Sequence, residues 1–156
     1  MILNKVIIFN EKILKSSDLS KVVSCLSPLL DIKTCILLNG DLAAGKTTFV
    51  KLFCESYGLK NISSPTFSIH QVYKNEKITI DHFDLYRLQN SDEIETSGLW
   101  DVFSQQKGLV FIEWSERIPF SELPLDWKLF EVHLSKTDGA HNDLERNVVV
   151  NSYSLS

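Results

Sequence analysis

Cys35-Ile36-Leu37-Leu38-Asn39-Gly40-Asp41-Leu42-Ala43-Ala44-Gly45-Lys46-Thr47-Thr48 joins an apolar run, a glycine loop and the opening of a helix in uninterrupted order. From Gly40 the loop reads G-x-x-x-x-G-K-T. A glycine at 40 lets the chain leave a strand sharply, and one at 45 lets backbone N–H groups close around a phosphate. Lys46 then reaches the β- and γ-phosphates, and Thr47 offers its hydroxyl to Mg²⁺. Beyond Thr48, apolar residues at 49, 50, 52, 53 and 57 predict a helix whose N-terminal dipole faces the anion. The expected phosphate cradle is Leu42, Ala43, Ala44, Gly45, Lys46, Thr47 and Thr48.

Working outward, β-branched residues at 6–8 predict a strand over 2–9. Ser16 and Ser17 precede apolar positions 19, 22, 23 and 26, a helix face with serine as N-cap, ending near Leu30 after Pro28. The helix after the glycine loop stops at Gly58, placed as a C′ glycine. Pro65 keeps Ser64 extended in the polar loop 62–67. Runs 67–73 and 78–83 then read as a hairpin, which makes the sheet mixed. A capped helical start at 91–95, a break at Gly98 and a short helix at 99–103 lead to the apolar run Gly108 to Trp114, a buried central strand. Strands over 129–134 and 148–153, around an Asp138-Gly139 turn, close the chain, with 136–147 an exposed loop. The fold expected is α/β, a P-loop NTPase-like three-layer sandwich over residues 1–156 as a single domain.

The chain has 156 residues, 44% hydrophobic and 23% charged, as an ordinary soluble globule does. Net charge is −4 and arginine stands only at 87, 117 and 146, which argues against a broad nucleic-acid-binding face. Cys25, Cys35 and Cys54 sit in apolar runs and read as buried reduced thiols. With no leader pattern and no run of about 18 apolar residues, the expected place is the cytoplasm, away from membranes.

Nucleotide hydrolysis needs a carboxylate for Mg²⁺, a group that positions water and a sensor of the γ-phosphate. Glu113 follows Leu-Val-Phe-Ile and Asp84 follows Ile-Asp-His-Phe, so both acids close apolar strands. Asp81 competes with Asp84, but a separation of three reverses the face in a flat strand, so one of the two points away. The residues alone do not divide the roles between Asp84 and Glu113. Thr66, a hydroxyl in a proline-fixed loop, is the candidate sensor. His70, His82, His133 and His141 are too scattered for a metal cluster and read as structural. Trp100, Trp114 and Trp127 read as core or rim aromatics, with Trp114, beside Glu113, also well placed to cover a nucleotide or partner.

Gly40 to Phe49, Ser64-Pro65-Thr66-Phe67, His82-Phe83-Asp84-Leu85-Tyr86-Arg87-Leu88 and Ile112-Glu113-Trp114 together resemble the TsaE family, small bacterial ATPases needed for N6-threonylcarbamoyladenosine (t6A) at position 37 of tRNA. The resemblance runs from about residue 34 to 114, and His-Phe-Asp-Leu-Tyr-Arg is its most specific part. It implies ATP and Mg²⁺ as cofactors and docking on the TsaD–TsaB heterodimer, reset by hydrolysis between cycles, with tRNA met only indirectly. By matching motif, it implies that Lys46 and Thr47 engage phosphate and metal, Glu113 is a Walker B-type ligand, Asp84 helps activate water and Thr66 is the switch threonine. It also suggests a nucleotide contact near Ser16. Two positions depart from the pattern. Ala43 replaces a loop glycine, which is mild unless the position needs φ > 0, and Ser115 stands where proline commonly follows Glu-Trp.

A small-molecule kinase is disfavoured, because three scattered arginines and no lid-like insertion leave little to gather charge at a transferring phosphate. A GTP-dependent switch is disfavoured as well: Asn4-Lys5 is followed by Val6-Ile7, not by the guanine-reading x-Asp.

Overall fold

A computed structural model describes residues 3–139 and 144–156. Seven strands form one sheet in the order β1, β7, β6, β2, β5, β4, β3. They are β1 Leu3–Ile13, β2 Lys33–Gly40, β3 His70–Lys74, β4 Thr79–Asp84, β5 Gly108–Glu113, β6 Lys128–Lys136 and β7 Arg146–Leu155. The inner four, β6, β2, β5 and β4, run parallel, and β3, β7 and β1 pair antiparallel at the flanks. The expected α/β class and mixed sheet are therefore observed, with helices on both faces.

The alternation along β2 assigns those faces. Ile36 and Leu38 pack with helix α1 (Ser20–Leu26) and helix α2 (Lys46–Ser56), where Phe49 and Phe53 meet Phe111 edge-on at 6.1 and 5.0 Å. Cys35 and Leu37 face the other way, toward α3 (Ser91–Thr96), α4 (Leu99–Phe103) and Trp127. Phe49, Phe53, Phe111 and Phe130 have no exposed surface, and truncating any one to alanine costs about 3–5 kcal/mol. Buried on both faces, β2 and β5 read as continuous apolar runs, which is why they stood out in the sequence.

Several local expectations are met. Gly58 ends α2 at φ +79°, its N–H donating to Glu55 O. Asn90 caps α3 by accepting from Glu93 N at 2.9 Å. All three cysteines are free; Cys35 and Cys54 are buried as expected while Cys25 is only half-buried, and burial pushes the Cys54 thiol up to about 12.

Others are corrected. Strand β1 runs on to Ile13, because its polar residues 10–12 lie on an exposed edge where periodicity carries no core signal; they pair with Asn147 to Val149. Neither Ser16 nor Ser17 caps α1. A 3-10 turn, Ser16–Leu19, comes first, and the Asp18 carboxylate accepts from the N–H groups of Leu14 and Lys15. Phe67 to Ile69 form a turn and not the start of β3, with Ile69 at φ +68° and its N–H on Pro65 O. The expected 136–147 loop shrinks, since β6 reaches Lys136 and β7 starts at Arg146. His141 and residues 140–143 of that loop lie outside the described residues. Among the described residues, no helix is long and apolar enough to cross a membrane.

Candidate functional site

The glycine loop leaves the carboxyl end of β2, whose neighbours β5 and β6 lie on opposite sides, the kind of crevice in which open α/β sheets bind ligands. Gly40 is required by contact as well as by its φ of +148°: a Cβ there would lie 2.3 Å from Leu134 O. Ala44 N donates to Asp41 O at 3.0 Å and folds the loop, and Gly45 (φ +113°) turns it into α2. The first backbone bond of α2 runs from Phe49 N to Gly45 O. The N–H groups of Lys46, Thr47 and Thr48 thus precede the ladder, where helix geometry leaves donors for an anion. Ala43 adopts φ +62°. The loop does need a left-handed residue where alanine replaces glycine, at a cost of about 1–2 kcal/mol.

A cleft of about 390 Å³ opens over this loop. It is lined by Leu42 through Thr48, every residue of the expected cradle, together with Ser64, Thr66, Asp84, Tyr86, Glu113 and Trp114. The parallel register sets Asp84 directly beside Glu113, and Glu113 beside Leu38. Thr47 Oγ1 donates to Glu113 Oε1 at 2.6 Å. Thr66 Oγ1 donates to Asp84 Oδ2 at 2.7 Å, and Tyr86 N holds Asp84 Oδ1 at 2.9 Å. Both carboxylates are 3% exposed. Asp81 lies on the reverse face against His70 Nε2, 2.8 Å away, as strand alternation requires.

Lys46 lies at the floor, 4% exposed, with Nζ donating to Gly40 O at 2.5 Å and Asp41 O at 2.9 Å. Its ammonium is 4.2 Å from the centre of the Trp114 ring, which itself packs on Tyr86 at 4.9 Å. Burial lowers its pKa from the usual lysine value, while Glu113, Glu116, Asp84 and Asp41 pull it back up. Ser16 is the one expected contact that does not line the cleft. It is exposed on the 3-10 turn, and Leu19 of that turn approaches Gly45 instead.

His82, read as structural, is fully buried and bonds Glu113 Oε1 through Nε2 at 2.9 Å. Its Nδ1 meets Tyr73 Oη at 3.2 Å, and that hydroxyl donates to Ser63 O at 2.7 Å. A hydrogen-bonded chain thus links Glu113 to the loop carrying Thr66. The available signal was period two, since 82 and 84 share a face of β4. Ser115 settles the geometry after Glu-Trp without proline: Trp114 takes φ +58°, and Ser115 Oγ donates to Asn39 Oδ1 at 2.5 Å.

The donor set suits Mg²⁺ bound with a nucleotide. Among the described residues no cluster of three or more His, Cys, Asp or Glu forms a metal cage. Thr47 and Glu113 together offer a hydroxyl and a carboxylate, and Mg²⁺ typically takes one or two carboxylates and completes its shell with phosphate oxygens and water. A larger cavity of about 630 Å³, beside Trp100 and Arg117 near the other core layer, lacks the glycine loop and this constellation.

Comparison with known proteins gives the chain a family. The family model for threonylcarbamoyl adenosine biosynthesis protein TsaE matches residues 13–148. The tRNA threonylcarbamoyladenosine biosynthesis protein TsaE of Rickettsia felis is 38% identical over 143 residues, 89% of this chain and 78% of its own. Its counterpart in Bacillus subtilis is 34% identical over 121 residues, 77% and 73% of the two chains, and that of Aquifex aeolicus 32% over 133, 83% and 94%. The crystal structure of Bacillus subtilis YdiB superposes with a TM-score of 0.65 at 21% identity, covering 100% of this chain and 89% of that one, a likeness of fold. With its motifs in register on this sheet, the chain belongs to the TsaE family.

Proposed function

We propose that this protein binds ATP with Mg²⁺ and hydrolyses it in support of tRNA t6A formation, acting on a TsaD–TsaB heterodimer. The observation that carries the reading is the 2.6 Å bond from Thr47 Oγ1 to Glu113 Oε1 at the root of the glycine loop, with Asp84 as the register neighbour of Glu113. Other glycine loops bind phosphate; this pairing adds the parts that hydrolysis needs.

In this reading the N–H groups at 45–48 and the Lys46 ammonium gather the phosphate charge. To do so Lys46 exchanges its two loop carbonyls for phosphate oxygens, a small motion within the cleft. Thr47 and Glu113 would hold Mg²⁺, which would supply neutralisation of phosphate charge. Asp84, already oriented by Tyr86 N, accepts a proton from water at the γ-phosphate, and Thr66 leaves Asp84 to sense that phosphate. His82 fixes the carboxylate of Glu113 from behind. Family membership supports the tRNA pathway, and the motif resemblance supports the heterodimer as partner.

The test is ATP turnover by the purified chain with and without TsaD–TsaB. The expected result is slow hydrolysis alone and a marked increase with the heterodimer. Phosphate transfer to a metabolite, or stimulation by GTP in place of ATP, counts against the reading.

A further inference from the structure

Among the described residues, the side chain of Arg146 holds the outer wall of the glycine loop. Arg146, at the start of β7, donates Nε to Ala44 O and Nη2 to Ala43 O, each at 3.2 Å, and Nη1 to Glu145 O at 2.8 Å. Strand register puts it there: Arg146 pairs with Ile13 of β1 and Lys136 of β6, and on β6 the Leu134 carbonyl abuts Gly40. The carbonyls it holds are those of Ala43, strained at φ +62°, and of buried Ala44. Ala44 O shares a peptide unit with the Gly45 N–H, in the cleft wall, and a carbonyl that accepts a bond polarises its own N–H. Arg146 itself does not line the cleft.

We propose that Arg146 is a positioning residue for the nucleotide site: its guanidinium holds Ala43 in the left-handed conformation and fixes the Ala44–Gly45 peptide unit, whose N–H receives phosphate. The proposal rests on the ATP-site reading above. Directed at carbonyls, the guanidinium acts on nucleotide affinity rather than on the transferring phosphate. Lysine is a poor substitute, because one ammonium lacks the planar fork that spans two carbonyls.

The experiment is a double-mutant cycle of R146A and A43G in the full chain. It reads the Kd for ATP with Mg²⁺, kcat at saturating ATP, and amide hydrogen exchange at 42–46 without nucleotide. R146A is expected to raise Kd about tenfold with kcat unchanged, and to speed exchange across the loop. R146K falls between R146A and wild type. In the A43G background R146A costs less than about threefold, because glycine takes φ > 0 unaided. An equal loss in both backgrounds overturns the proposal, as does a fall in kcat at unchanged Kd. Should R146A not fold, R146K carries the same cycle. Failure of the wild-type chain to bind ATP sinks the ATP reading instead; the exchange arm then decides alone, and loop exchange unaltered by R146A overturns the clamp.

Discussion

Glu113 and Glu131 flank the same central strand and serve opposite ends. Glu113, on β5, pairs with Leu38 of β2; Glu131, on β6, pairs with Leu37. Both follow apolar residues in a strand. Glu131 points to the α3/α4 face, where its two oxygens accept from Asn39 Nδ2 (2.9 Å), Asn151 Nδ2 (3.0 Å) and Tyr153 Oη (2.8 Å), with Lys5 Nζ at 3.5 Å. Glu113 points to the glycine loop, and both its donors, Thr47 and His82, converge on the single oxygen Oε1. A carboxylate surrounded by donors on both oxygens is structural. One held from behind at the edge of a cleft is available for chemistry. The acid after an apolar run is therefore an ambiguous signal until the face it occupies is known.

The contrast is broken most decisively through turnover. E113Q is expected to lower kcat by about 10²–10³-fold while ATP still binds, measured by steady-state hydrolysis with TsaD–TsaB and by nucleotide titration. Normal turnover in E113Q makes the two glutamates equivalent and removes the site as drawn. Next in size, K46A is expected to weaken ATP binding by about 10–100-fold, since a charge-assisted contact is worth about 1.5–3 kcal/mol.

On the other face the readout is stability. E131Q is expected to cost about 2 kcal/mol at neutral pH, measured by chemical denaturation, with turnover unmoved. Burial alone would raise the pKa of Glu131, but the bonds from Tyr153 and Asn151 and the Lys5 charge hold it below the usual carboxylate value. Its ionised form therefore adds stability above the unfolded-state pKa, and that contribution is lost as pH falls through the folded-state pKa. The gap between wild type and E131Q should close in acid, and a gap independent of pH contradicts the assignment. The smallest effect is S115A, about 1 kcal/mol, through loss of the bond to Asn39 that joins this network to the loop after Trp114.

What was legible beforehand followed from local rules. The strand, loop and helix from 33 to 58 needed only periodicity and glycine positions, and the opposite facing of Asp81 and Asp84 only strand alternation. What escaped depends on residues distant in sequence. Arg146 meets Ala43 and Ala44 across 103 and 102 positions, and Glu131 meets Asn39 across 92, so neither partner marks the other in one sequence. Period two puts His82 on the face of Asp84, but its bond to Glu113 depends on the pairing of β4 with β5, which an isolated histidine in a strand does not reveal. Ser16 was drawn toward the nucleotide by motif resemblance, yet chain geometry sends Leu19 to the loop in its place.

The lysine resting over Trp114 has an optical consequence. Indole emission responds to a charge held against the ring, and at 4.2 Å the Lys46 ammonium is such a charge. In the proposed ATP-bound state, where Lys46 turns to a phosphate, the light from Trp114 is expected to change. All three tryptophans pack on the same core layer, but Trp114 lines the cleft and Trp100 and Trp127 do not, so its emission is the gauge of whether the loop is filled.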